Sequence, residues 1–430
     1  MKNASSGGRM AGRSIYSRQI LVLGGVQLIE SLAFALPLSF FPHYVVGLGA
    51  SVASVGLFTS SFMLSMAVMS PKFGSLSDQH GRKRIMMLGI IGDVVFGVLT
   101  GLVPSWPWLL LVRVANGAVS SAAMLSSEAL LIDSAPIDMR GEASGFIMST
   151  AMVGRNLGPL LGGTIQWASL SLGLSLLDSY RVPYFVDSGL ALLALLLVVL
   201  LIREPERSAE RRGRPGGGET GARVPLSRTL KVMLAYAFVN GVGVGFIIPI
   251  MVLFYSDKFG IEPVGIGALL SISGFIGLFA SYVAGRLSDR MGRKPLIALG
   301  DLVSRAFGFV LPLTGDVTQA GVIMSIRSLG FNVSMPAFRA LRADAVPPEV
   351  RGRFFGLFGT AFTAGDVIGP IISTWIYSVY RFEHFRFLGF RVPGYGIPFF
   401  VNSVLGILST VALLALVEEP GRLVPTRPET

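Results

Sequence analysis

From residue 20 to residue 417 the chain repeats one pattern: a run of about twenty apolar residues, then a short polar break. A helix needs roughly 17–25 such residues to cross a bilayer. In hydrocarbon, only helices and closed barrels satisfy every backbone polar group. The runs lack period-two alternation, so each reads as a helix. Twelve are found, at 20–46, 52–73, 85–103, 108–135, 143–170 and 183–202, then at 230–255, 265–284, 296–313, 318–345, 354–380 and 397–417. The chain is therefore expected to be an all-α membrane protein with twelve transmembrane helices.

Composition agrees where it bears on class. Charged residues make up 14% of the chain, against about 25% in soluble domains. The net charge of +11 would suggest an anionic partner in a soluble protein. Here its placement matters more than its sum, because Lys and Arg gather on the cytoplasmic side. With the N-terminus inside, the outer loops hold five basic residues (Arg181, Lys258, Arg381, Arg386 and Arg391), whereas 203–231 alone holds eight. Both termini are thus expected in the cytoplasm of a cell-membrane protein, and the polar first nineteen residues read as a retained tail. No cysteine and only three scattered histidines are present, so no disulfide, thiolate or metal cluster is expected. No cofactor and no nucleic-acid partner are expected either.

The chain also repeats itself. GSLSDQHGRK at 74–83 returns as GRLSDRMGRK at 285–294, an offset of 211. At the same offset Arg140, Gly141, Gly145, Gly154, Gly158 and Pro159 return as Arg351, Gly352, Gly356, Gly365, Gly369 and Pro370, and Asp133 as Asp344. Parallel duplication of a six-helix unit is a common transporter plan. It divides the chain into a bundle at 1–202, a Gly-, Pro- and Arg-rich linker at 203–228, and a second bundle at 229–430.

These motifs resemble those of the major facilitator superfamily along essentially the whole chain. That resemblance implies two pseudo-symmetric six-helix bundles around a cavity lined mostly by spans one, four, seven and ten. Gly74, Asp78, Gly81, Arg82 and Lys83 match the loop between spans two and three; Gln79 departs from it, since a basic residue is usual there. Gly285, Asp289, Arg290, Gly292, Arg293 and Lys294 form a second, complete copy. The resemblance implies a latch that holds the halves in the outward-facing state, built from Asp78, Arg82 and Asp133, with Asp289, Arg293 and Asp344 as its counterpart. An aspartate beside a helix N-terminus would fit the dipole, and glycines permit close approach. The plainer alternative is a basic headgroup anchor.

In span five, Gly145, Gly154, Gly158, Pro159, Gly162 and Gly163 resemble the antiporter-type motif of drug:proton exchangers. Ordinary small-residue packing is the alternative. Arg155, inside the motif, has Asp366 as its repeat image, and neither receives a role.

Charges at bilayer depth cost at least roughly 2.5–3.5 kcal/mol and usually face a cavity or a partner. Glu30 lies about ten residues into the first span, near the midplane at 1.5 Å per residue. Gln27 and Phe34 share its face, and Pro37 should bend the helix beyond it. Desolvation favours the neutral form of such a carboxyl, so a proton can come and go; a structural hydrogen bond is the alternative role. Arg113 and Gly117 in span four resemble the family's proton-transfer pair, with Arg113 holding a carboxylate ionised across the cavity. Arg327 is its looser counterpart in span ten, and Tyr236 and Asn240 in span seven are second-rank ligands. Asp93, Glu128 and Arg305 also fall within spans; Asp93 and Arg305 are expected to serve as structural pairs, because spans three and nine are peripheral in the family.

The function implied is secondary transport by a monomer: proton-coupled export of small amphipathic organic compounds. Import of a sugar or organic acid is the alternative, and paired arginines facing the cavity would suit an anion. A sensor, scaffold or membrane enzyme ranks last, since no catalytic constellation is present.

Overall fold

The computed structural model describes residues 17–204, 227–346, 351–387 and 390–417, without the side chains of 285–290, 351–352, 387 and 390–391. The expected linker at 203–228 therefore falls almost wholly outside the described residues. Six spans form the first half: α1 (Arg18–Ala35) continued by α2 (Phe41–Gly47), then α3 (Val55–His80), α4 (Arg82–Leu102), α5 (Trp106–Ser134), α6 (Arg140–Ser171) and α7 (Leu176–Leu201). The second half comprises α8 (Arg228–Phe259), α9 (Pro263–Met291), α10 (Arg293–Val310), α11 (Val317–Ala345), α12 (Arg351–Tyr380) and α13 (Ile397–Leu416). Among the described residues, ten of these spans are long and apolar enough to cross a membrane by composition alone; α6 and α11 fall short. Large apolar side chains such as Val68, Leu200 and Phe279 are more than 60% exposed, as suits a chain whose surface meets lipid.

Local chemistry explains the boundaries. The first span breaks as expected: α1 ends at Ala35, Pro37 sits in a 3₁₀ turn, and helix resumes at Phe41. The sixth span starts earlier than the expected 183. Ser175 caps it, its hydroxyl accepting from the Asp178 backbone N–H at 3.1 Å, so Pro183 lies inside the helix. Between α12 and α13 the chain forms an unexpected antiparallel hairpin, β1 (His384–Phe387) with β2 (Phe390–Pro393).

Each half has an apolar cluster at each of its ends, and the first half has a third, of Phe73, Ile85 and Ala122. In the first, Leu23, Ile90, Leu130 and Ala194 pack at the end bearing the duplicated loops, and Phe40, Tyr44, Phe58 and Tyr184 at the other. In the second, Met233, Leu296 and Leu341 pair off against Ile250, Phe254 and Phe399. The polar middles between these clusters hold the cavities.

The halves meet where α6 packs on α9 and α3 on α12. Most cross-half hydrogen bonds lie away from the duplicated loops: Ser60 Oγ donates to the Val367 carbonyl (2.5 Å), Thr374 Oγ1 to that of Ala53 (3.0 Å), and Leu160 N–H to Ser271 Oγ (3.3 Å). On the loop side, Arg339 Nη1 reaches the Met148 sulfur at 3.6 Å. Two glycine contacts seal this end. A Cβ on Gly56 would overlap the Pro370 carbonyl, and one on Gly267 would overlap that of Pro159. Each pair is the 211-residue image of the other. The molecule is thus closed at one end and open toward the duplicated loops.

Candidate functional site

In the first half, a cavity of about 330 Å³ is lined by Gln27, Glu30, Phe34, Asp93, Arg113 and Asp187, among others. Gln27, Glu30 and Phe34 do share one face of α1. Gln27 donates to Ser31 Oγ at 3.2 Å and accepts from Ser127 at 3.4 Å. Glu30 Oε1 is shut off from solvent with no hydrogen-bond partner. The guanidinium of Arg113 lies between the rings of Phe41 and Phe62, 4.9 and 4.6 Å from their centroids. Glu30 and Arg113 thus share a cavity, yet among the described residues no ion pair joins them.

Asp93 is not the structural member of an ion pair that the sequence suggests. It lines the cavity and accepts a 2.5 Å hydrogen bond from Ser120. Asp187, on α7, was not singled out from sequence, though it is a lone acid within an apolar span and so was detectable. Its carboxylate packs over Gly97, where a Cβ would approach it to 3.2 Å. The cavity therefore draws on spans three and six as well as one and four, and gathers three carboxyl groups against Arg113.

The second half carries the opposite sign. A cavity of about 260 Å³ is lined by Arg305, Arg327, Asn156 and Ser328 between apolar walls, and Arg155 lines both cavities. Arg305 is 5% exposed. It donates to Asn240 Oδ1 (2.7 Å) and Asn402 Oδ1 (3.4 Å), while its Nε has no partner. Arg327 directs Nη1 at the Met324 sulfur, 3.8 Å away.

Tyr236 and Asn240, expected as ligands, line neither cavity. Tyr236 donates to Asp301, which also accepts from Ser334 (2.8 Å) and Thr410 (3.0 Å). Asp301 is 1% exposed, and this network ties α8, α10, α11 and α13 together. Asn240 supports Arg305. Both residues hold the second half's framework instead of facing a substrate.

The duplicated loop is only partly as expected. Arg82 bridges Asp78 (2.8 Å) and Asp133 (3.1 Å), and Arg293 pairs with Asp344 at 3.4 Å; the Asp289 side chain lies outside the described residues. All three members of the first cluster belong to one half, so the cluster does not bridge the halves in this conformation. Asp78 sits in the last turn of α3, not at a helix N-terminus. The carboxylate that does occupy the start of α4 is Glu204, which accepts from the backbone N–H groups of Arg82 (2.7 Å) and Lys83 (2.8 Å), satisfying two orphan donors and the dipole. Gly81 and Gly292 make the turns with φ of +101° and +94°, a region costly for other residues.

Along α6, Gly154, Gly158 and Gly162 lie against the first span, where a Cβ would strike the Leu28 carbonyl, Ala35 and the Leu36 carbonyl. Gly163 and Pro159 instead touch the other half, at Pro263 and Gly267. Gly74 and Gly145 face open space.

Two pseudo-equivalent helical halves, closed at one end over a charged central cavity, define a membrane carrier for small molecules. A sequence profile described as Major Facilitator Superfamily matches residues 23–235 and 233–430, and the chain belongs to that superfamily. It is similar to a multidrug resistance protein MdtG of Enterobacter lignolyticus (strain SCF1), 25% identical over 83% of this chain and 84% of that one. The quinolone resistance protein NorA of Staphylococcus aureus (strain COL) is 24% identical over 85% and 91%. Its fold is also that of a bacterial homolog of the human lysosomal transporter Spinster, in an inward-facing, unoccupied conformation: TM-score 0.76 and 16% identity over 94% of this chain and 97% of that one.

Proposed function

We propose that this transporter exports small amphipathic organic compounds in exchange for protons, acting as a monomer with both termini in the cytoplasm. The observation that carries the reading is Glu30: a midplane carboxyl with an unpartnered oxygen, in a cavity that also holds Asp93 and Asp187. Three ionised carboxylates facing one arginine would be costly at this depth, and protonation removes that cost. Arg113, pinned between two rings, supplies a fixed positive charge that can stabilise whichever carboxylate ionises. A substrate entering the cavity and protons on the acids then compete for the same space and charge. The similarity to multidrug resistance proteins supports the export direction. With the duplicated loops in the cytoplasm, the open end faces inward. Gly74, Gly145 and the Asp78–Arg82–Asp133 cluster lie at that end, where the alternate conformation must bring the halves together.

Flux in proteoliposomes under an imposed pH gradient tests this. Wild-type protein should concentrate substrate against its gradient, and Glu30→Gln should lose that ability while retaining downhill exchange. Uphill transport by Glu30→Gln would move the coupling role to Asp93 or Asp187. Accumulation with the proton flow instead of against it would make the protein an importer.

A further inference from the structure

The two cavities are opposite in charge and joined at one residue. On one side stand Glu30, Asp93 and Asp187; on the other, Arg305 and Arg327, with Arg155 in the wall common to both. Resting on the reading of these cavities as the substrate site, we infer that the substrate is zwitterionic. It is an amphipathic molecule whose cationic group lies among the first half's carboxylates and whose anionic group is held by the second half's guanidiniums.

Charge accounting within a dry site carries the inference. Burying a charge without a counter-charge is expensive, and guanidiniums, unlike carboxyls, cannot escape by losing a proton. Arg305 is 5% exposed, and its polar partners are the neutral amides of Asn240 and Asn402. Its Nε stays unpartnered. Among the described residues none of the three arginines forms an ion pair. Asp301 lies one turn from Arg305 but is held by Tyr236, Ser334 and Thr410. Asp366 is the carboxylate nearest Arg155, so among the described residues Arg327 is the guanidinium left without a carboxylate. Planar guanidiniums are matched to carboxylate, sulfonate or phosphate.

A substrate that was only a cation would leave this group unanswered, and one that was only an anion would meet three carboxyls at the other end. A dipolar molecule answers both. Arg113, held against the faces of Phe41 and Phe62, balances one ionised carboxylate, and a second of the three is left to answer the substrate's cationic group. The cavities, at about 330 and 260 Å³, together fall in the size range of drug-like ligands. Met63, Met66 and Met124 on one side and Met251 and Met324 on the other give the apolar body adaptable walls.

Four compounds on one apolar scaffold test the inference: an amino acid-like zwitterion, its methyl ester, its N-acetyl derivative, and the doubly blocked neutral form. Binding to the purified full chain is measured by calorimetry and flux in proteoliposomes. The zwitterion should bind about tenfold or more tighter than either singly charged compound. Arg327→Gln should erase its advantage over the ester, Asp93→Asn its advantage over the acetylated acid, and Arg327→Lys should restore part of the first. An ester that binds wild type as tightly as the zwitterion overturns the inference. So does a folded Arg327→Gln, verified by thermal unfolding, that weakens all four compounds equally. The export reading fails separately: a zwitterion preferred in binding but never driven by a pH gradient keeps this inference and removes that one. An ester driven uphill with no preference for the zwitterion does the reverse.

Discussion

Gly267→Ala places one methyl group where the closed end has no room for it. The Cβ would overlap the carbonyl oxygen of Pro159 on the opposite half, and Gly56→Ala does the same against Pro370. Both obstacles are backbone, which cannot swing aside as a side chain can. Overpacking of this kind costs about 1–3 kcal/mol. Because the clash exists only while this end is shut, its relief lies in separating the halves. The closed-end conformer should therefore fall relative to the alternate one by about 5–150-fold. The two substitutions strain one interface, so the double variant should shift the balance by less than the sum of the singles. The control is Gly154→Ala, whose Cβ would strike the Leu28 carbonyl within the same half. It should lower thermal stability without favouring either conformer. The chain has no cysteine, so spin labels can be placed at Leu172→Cys and Phe382→Cys, 83% and 73% exposed at this end on opposite halves. Pulsed electron resonance should show a longer label distance in Gly267→Ala. A folded variant with the wild-type distance distribution would refute the claim that these glycines set the closed end.

Three further outcomes are expected. Asp78→Asn removes a partner of Arg82 that is 47% exposed and should cost within about 1 kcal/mol of stability, whereas Asp133→Asn, at 9% exposed, should cost about 1–3 kcal/mol. Both should slow flux, and unchanged flux in both would reduce the loop to a headgroup anchor. Gly74→Leu enters open space, so thermal stability should stay within about 0.5 kcal/mol; turnover should nonetheless fall if the open end must close over it, and wild-type turnover would exclude Gly74 from that closure. A cysteine at Gly216 should resist impermeant thiol reagents in intact cells, and labelling from outside would invert the orientation.

The spans were legible because bilayer thickness fixes how long an apolar run must be, and Pro37 and Gly81 carry their backbone consequences in their own chemistry. Legibility ended where a partner far along the chain decides the outcome. Nothing near Glu204 in the sequence says that its carboxylate sits on the first turn of α4, 121 and 122 residues away. Asn240 illustrates the same limit. Its position one residue from the repeat image of Glu30 suggested a cavity ligand, but the rotation of α8 turns it to Arg305. Helical periodicity tells which residues share a face, not which neighbour that face meets. The charged cavity was legible as a list of costly residues, and Asp93 was misread because span number stood in for geometry.

The duplication separates what the two halves must share from what they must not. Two of the tight glycine crossings recur at the offset of 211: Gly89 against Ala123 becomes Gly300 against Ser334, and Gly267 on Pro159 mirrors Gly56 on Pro370. The cavity charges follow no such rule. Glu30, Asp93 and Arg113 have Gly241, Ser304 and Met324 as images, while Arg305 and Arg327 have Val94 and Asn116. Where both images are charged, Arg155 and Asp366, the sign is reversed. A rocking motion needs matched surfaces on both halves, so backbone contacts stay paired. A site that tells one end of a molecule from the other needs the halves to differ. The charges that line the cavities are where the halves differ in this way.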